Sequence, residues 1–178
     1  WPLLIFLGVR FKLGRVPAIA TIALVSFAFN LWQTGQHPTA NFYDPISRFW
    51  ELLLGAGLAQ ARLSGFRLSV IPSQLASVVG SLLIGAAILI VRDTFDFPGW
   101  WALLPTIGSS LVILAGEAAI VNRTLLSNRA MVFVGLISYP LYLWHWPLFA
   151  FARLVLAAPA STLLVCALVM AAFLLSVL

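Results

Sequence analysis

Long apolar runs, separated by short charged loops, decide what this chain can fold into. They cover approximately residues 1–9, 16–32, 48–61, 74–91, 100–121, 131–156 and 161–178. A helix needs roughly 20 mainly apolar residues to cross hydrocarbon. Inside a bilayer the backbone must satisfy its own polar groups, which leaves helices or closed barrels. Runs of this length without period-two alternation predict an all-α fold, a polytopic transmembrane helix bundle with about six complete spans after one partial N-terminal span. Composition agrees: of 178 residues, 62% are hydrophobic and 8% charged, against roughly 25% charged in a soluble domain. The first run is too short to span, and its charges follow the apolar part, so no signal peptide is expected there. The last stops within apolar sequence. The chain is therefore expected to be part of a single transmembrane domain, truncated at its N-terminus and at its C-terminus. Its one cysteine, Cys166, has no partner for an intrachain disulfide.

The net charge of +5 reflects orientation. Arg10, Lys12 and Arg15, then Arg62 and Arg67, then Arg123 and Arg129 occupy alternate loops that hold no acidic residue. Asp44, Asp93 and Asp96 fall in the opposite loops. The positive-inside rule places the basic loops in the cytoplasm and the loops around residues 37–45 and 92–100 outside. No continuous basic patch exists, so no nucleic-acid partner is expected. Small residues recur at every fourth position as Ser77, Ser81 and Gly85, and as Gly55 and Ala59, which predicts close helix contacts there.

Polar groups within these runs are the candidates for chemistry, because they are expensive in lipid and usually face a cavity or a protein partner. Arg48 and Glu51 stand three apart and share a helix face with Gly55. They read either as an interfacial ion pair that sets helix depth or as the polar wall of an outward-opening cavity. In the run over 131–156, Ser138, Tyr142 and His145 fall on one face, beside Tyr139 and Trp146. Pro140 and Pro147 are expected to disturb that helix. His145 has the chemistry of a base or ligand, but a tryptophan-flanked histidine near an interface also serves as an anchor. Glu117 is expected to pair with Arg123 or with a basic residue on another helix. Asn122-Arg123-Thr124 matches a glycosylation sequon on the cytoplasmic side, a chance match. There is no metal cluster, glycine-rich phosphate loop or G-x-S-x-G elbow, so no metal site is predicted. These features fit a membrane enzyme and a lipid or glycan transporter equally.

Two tracts carry a resemblance. Phe42-Tyr43-Asp44-Pro45-Ile46-Ser47-Arg48-Phe49-Trp50-Glu51-Leu52-Leu53-Leu54-Gly55 resembles the Arg-x-x-Glu-Leu-Leu-x-Gly helix of the acyltransferase 3 family. Leu126-Ser127-Asn128-Arg129, with Gly135-Leu136-Ile137-Ser138-Tyr139-Pro140-Leu141-Tyr142-Leu143-Trp144-His145-Trp146-Pro147, resembles that family's Ile-Ser-Tyr-x-Leu-Tyr-Leu-Trp-His-Trp-Pro helix. Trp1-Pro2-Leu3-Leu4 is similar to the end of its Glu-Gln-Phe-Tyr-x-x-Trp-Pro helix. With its Trp144-His145-Trp146-Pro147 run, the chain most resembles the bacterial members that O-acetylate lipopolysaccharide O-antigen and other envelope glycans.

The resemblance implies a multi-pass protein of the bacterial inner membrane. It would take an acyl group, usually acetyl, from cytoplasmic acyl-CoA (acetyl-CoA) and deliver it to a glycan hydroxyl outside. Acyl-CoA is a donor substrate here, and no bound cofactor is implied. The expected partners are the bilayer, the glycan acceptor and acyl-CoA, and many relatives add a C-terminal SGNH-hydrolase-like domain. The family's catalytic histidine belongs to a helix ahead of Trp1, so no residue here is assigned a catalytic role and the 178 residues alone are expected to be inactive. Arg48, Glu51, Ser138, Tyr139, Tyr142, His145 and Trp146 stand as candidate cavity or substrate-binding residues. The competing readings are a polytopic transporter and a non-catalytic membrane anchor.

Overall fold

The computed structural model describes residues 15–92, 96–156 and 161–177. The expected partial span over 1–9 lies outside them, as do Arg10, Lys12 and Asp93. Every regular element among the described residues is helical. In chain order they are α1 (Arg15–Gln36), α2 (Pro38–Tyr43), α3 (Pro45–Leu63), α4 (Val70–Ile90), a 3-10 turn (Gly99–Ala102), α5 (Leu103–Ala115), a π-helical turn (Asn122–Leu126), α6 (Arg129–Leu156) and α7 (Thr162–Val177). Three helices are long and apolar enough to cross a membrane: Val16–Gln36, Val70–Ile90 and Arg129–Val155. α3 has 19 residues, about 28 Å at 1.5 Å per residue, but carries Arg48, Glu51 and Arg62. Gly99–Ala115 and Thr162–Val177 are shorter apolar helices.

Local sequence sets the starts. Asp44 caps α3 by accepting from the Ile46 amide at 2.9 Å, with Pro45 in the first turn where its missing N–H is harmless. Asn128 accepts from the Ala130 amide at 3.1 Å ahead of α6.

The chain divides into two compact units, one through Arg123 and one from Thr124 onward. In the first, α1 and α3 run antiparallel. The Ser26 hydroxyl donates to the Ile46 carbonyl at 2.6 Å near one end, and Gly57 lies against Ile19 nearer the other. α4 and α5 are likewise antiparallel. They cross where Gly80 and Gly108 meet: a Cβ on Gly80 would stand 2.6 Å from the Gly108 carbonyl oxygen. The closest approach falls at Gly80, beside the fully buried Ser77, and does not extend to Gly85. Nothing lies within 4 Å of a Cβ built on Gly85 or Gly55. Every-fourth-residue spacing finds a stripe, but the rotation of the helix decides which part of it touches.

The run over 100–121 does not form one span, because α5 ends at Ala115. Gly116 takes φ 80°, a left-handed conformation that glycine adopts without a Cβ clash. The last four carbonyls of α5 then need donors from elsewhere. Asn122 donates to Val112 at 2.8 Å, Arg62 to Ile113 and Leu114 at 3.0 and 3.3 Å, and Ser73 to Ala115 at 2.7 Å. Asn122 also reaches the Gly116 carbonyl at 2.9 Å and accepts from Ser77 at 2.9 Å. Its amide is thus a structural cap. The break also turns Glu117 out: it is exposed and, among the described residues, forms no ion pair with Arg123.

In the second unit α6 packs against α7, with Phe133 near the start of one meeting Phe173 near the end of the other, ring centroids 6.4 Å apart. Pro140 and Pro147 do not end the helix; α6 is one helix of 28 residues through both. Each proline removes one backbone donor. The surrounding peptide groups, in an apolar medium, have no better partners than the helix itself.

Burial follows lipid logic. Ser26, Asn30, Asn41, Ser47, Ser77, Ala102 and Ala119 are buried, while Leu52, Leu82, Leu89 and Leu136 are exposed. In water such apolar exposure would drive association. In a bilayer, small and polar residues belong between helices and leucines against acyl chains.

Candidate functional site

The N-terminal end of α3 is held by a buried polar knot. Asn30 on α1 donates to the Ser47 carbonyl at 3.2 Å. Asn41 on α2 donates to the Asn30 carbonyl at 3.1 Å and to the Thr34 hydroxyl at 2.6 Å. Ser47 donates to the Asp44 carbonyl at 2.8 Å and to that of Asn41 at 3.0 Å. The Trp50 amide donates to the Ser26 hydroxyl at 3.1 Å. Trp50 is 3% exposed, with its ring edge-on to Phe27 at 4.9 Å. Side chains from three helices therefore fix the rotation of α3. With Ser47, Trp50 and Leu53 turned inward, Arg48, Glu51, Gly55 and Leu58 share another face.

That face forms one wall of a cleft of about 340 Å³. The facing wall comes from Phe97, Ala102 and the α5 residues Pro105, Thr106, Ser109, Ser110 and Ile113. Arg62, capping α5 from the far end of α3, ties the two walls together. Gly55 leaves the space open because it adds no side chain. Arg48 and Glu51 are the ionisable groups among the lining residues, and they pair. Arg48 Nη2 lies 3.1 Å and Nε 3.4 Å from the same oxygen, Glu51 Oε2. The guanidinium carbon also stands 5.7 Å from the Phe42 ring centroid. Arg48 is thus held from two sides, while Glu51 Oε1 and Arg48 Nη1 keep hydrogen-bonding capacity. Such a pair can recognise a hydroxyl group from both sides, the carboxylate accepting its proton and the guanidinium donating to its oxygen.

The other candidates lie on α6, in the second unit. His145 is half-buried, its Nδ1 3.1 Å from the Leu141 carbonyl oxygen. Its ring centroid is 5.6 Å from that of Tyr142. The Ser138 hydroxyl turns back to the Gly135 carbonyl at 2.7 Å. Tyr139, Tyr142 and Trp146 are about two-thirds exposed, at 70%, 68% and 69%. The structure thus brings Arg48 to Glu51 and Tyr142 to His145. Among the described residues no group of three His, Cys, Asp or Glu side chains stands close enough to hold a metal. Thr106, Ser109 and Ser110 were not singled out from the sequence, although hydroxyls at steps of three and four in an apolar run are a readable signal.

The family model described as "Acyltransferase domain" matches residues 1–178, the whole chain. The chain belongs to the acyltransferase 3 family. Within this acyltransferase 3 chain, the Arg-x-x-Glu-Leu-Leu-x-Gly tract is the helix that carries the cleft wall. A Bacillus subtilis (strain 168) protein named "Putative peptidoglycan O-acetyltransferase YrhL" is 26% identical over 164 residues, covering 83% of this chain and 25% of that protein. A Komagataeibacter xylinus protein named "Putative membrane-bound transacylase BcsY" is 25% identical over 125 residues, covering 70% of this chain and 31% of that protein. The chain thus spans between a quarter and a third of the length of these curated relatives. No solved structure matches it significantly. Family membership and the apolar helices together make this a multi-pass membrane protein.

Proposed function

We propose that this chain is part of a bacterial inner-membrane O-acyltransferase. It moves an acyl group, acetyl in the simplest case, from cytoplasmic acyl-CoA to a hydroxyl of an envelope polysaccharide or lipopolysaccharide. The observation that carries the reading is the Arg48–Glu51 pair opening into a hydroxyl-lined cleft within an apolar bundle. Family membership and a relative named for peptidoglycan O-acetylation support it. In the reaction a base removes the sugar hydroxyl proton, the oxygen attacks the thioester carbonyl, and the CoA thiolate leaves. Arg48 and Glu51 orient the hydroxyl by the two-sided contact described above. Neither is assigned as the base, and neither is His145, whose Nδ1 lies against the Leu141 carbonyl.

The glycan stands on the outer side in this proposal, because the cleft begins at the end of α3 away from Arg62. In this reading acyl-CoA acts as a substrate, and the reaction as written calls for no bound cofactor. Intact protein in proteoliposomes, given radiolabelled acetyl-CoA and an envelope oligosaccharide, should place alkali-labile label on the glycan. Label recovered only as acetyl-CoA or free acetate would reject the proposal. Glycan movement across the vesicle without acetylation would favour a transporter instead.

A further inference from the structure

The α5 wall of the cleft differs from α1, α3 and α4, the long helices of the same unit, in how its hydroxyls are used. Serine and threonine in an apolar helix commonly return their proton to the carbonyl four residues back. Thr21, Ser81, Ser109 and Ser176 do so at 2.9, 2.8, 2.7 and 2.6 Å. Ser26, Ser73 and Ser77 donate across to neighbouring segments. Thr106 and Ser110 do neither. Among the described residues neither hydroxyl has a hydrogen-bond partner, and both residues line the cleft, one turn apart. Two residues with uncommitted hydroxyls therefore line the same cleft as the uncommitted Glu51 Oε1 and Arg48 Nη1. Leu58, Phe97, Pro105 and Ile113 supply apolar surface between them.

Charge decides what this wall would suit. The lining carries one cation and one anion, joined at 3.1 Å. A polyphosphate such as the CoA moiety needs unpaired cations, and seizing Arg48 would strand Glu51. A uronate would meet Glu51 as a like charge. A neutral ring with several hydroxyls and one apolar face meets all four polar groups without separating the pair. The volume, near the low end of the roughly 300–1,000 Å³ usual for ligand pockets, fits a saccharide unit.

We infer that Thr106 and Ser110 are acceptor-specificity residues, and that with the Arg48–Glu51 pair they select a neutral sugar over an anionic glycan or the acyl-CoA donor. This rests on the acyltransferase reading above. The test uses intact protein in proteoliposomes, with acetyl-CoA as donor and two acceptors of equal length: a neutral N-acetylglucosamine tetrasaccharide and a galacturonate tetrasaccharide. Removing both hydroxyls with Thr106→Val and Ser110→Ala should raise the neutral acceptor's KM about tenfold or more. The KM for acetyl-CoA should stay unchanged. Thr21→Val, on α1 and outside the cleft lining, should change neither constant, since that hydroxyl only returns its proton to the Pro17 carbonyl. Thr106→Ser should keep the wild-type KM, which separates a lost hydroxyl from a misfolded helix. An unchanged acceptor KM in the double variant, a rise in the acetyl-CoA KM instead, or preference for the galacturonate would overturn the inference. Failure of the unmodified protein to acetylate either sugar would overturn the acyltransferase reading itself.

Discussion

At the scale of single residues, Glu51 and Arg48 illustrate how little a visible ion pair says about stability. Their side chains are 21% and 41% exposed, so water or headgroups screen them and the pair contributes no more than about 1 kcal/mol. Its geometry matters more, because both Arg48 nitrogens grip one oxygen and leave the other free. Glu51→Gln should therefore lower acyl transfer at least tenfold while expression and thermal unfolding in detergent stay near those of the unmodified protein. Normal glycan acetylation by this variant would remove Glu51 from the site. His145→Ala should reduce transfer less than Glu51→Gln does, since the Nδ1 of this ring already faces a backbone carbonyl. Side-by-side rates of the two variants decide the order.

At the scale of elements, the crossing of α4 and α5 depends on two glycines. A Cβ at Gly108 would lie 2.8 Å from the Gly80 carbonyl oxygen and 2.9 Å from the Ile84 side chain. Backbone cannot yield as a flexible side chain can, so Gly108→Ala should destabilise the helix pair by about 1–3 kcal/mol. Gly85→Ala meets nothing within 4 Å and should stabilise slightly, by about 0.5–1 kcal/mol, through helix propensity. Unfolding midpoints in one detergent will show whether the two changes move in opposite directions. The same pair depends on the end of α5. Asn122→Ala withdraws the donor to the Val112 and Gly116 carbonyls and should lower the midpoint. Asn122→Asp keeps the acceptor for Ser77 but not the donors, so it should not restore it.

At the scale of the whole molecule, the first unit sorts its ends by charge. Arg62 at the end of α3 reaches the end of α5, which Ser73 at the start of α4 also caps. The α1–α3 connection, with Thr34 packed against Gly99, forms the opposite end. With the charge-rich end cytoplasmic, a cysteine at Tyr43 in a Cys166→Ala background should react with an impermeant maleimide on intact cells. One at Ser64 should react only after permeabilisation. The reverse pattern would invert the proposed orientation and move the cleft mouth to the cytoplasm.

Sequence alone carried the helical class, since apolar runs of this length leave the backbone few alternatives in lipid. It also carried the shared face of Arg48, Glu51 and Gly55, because a period of 3.6 is a local property that needs no partner to be read. The resemblance in the tracts over 42–55 and 135–147 carried the family. Three features lay beyond it. The end of the helix at Ala115 depends on Gly116 being rewarded by donors from Arg62, Ser73 and Asn122, each on a different segment. The contact at Gly80 depends on the rotation of α4 against α5. The cleft wall at Thr106 and Ser110 depends on which helix faces α3, which the buried knot of Asn30, Asn41 and Ser47 and the Arg62 cap settle together. Local periodicity says which side chains share a face. What stands across from that face is fixed by hydrogen bonds and close packing between residues far apart in the chain, and those form only when the helices come together.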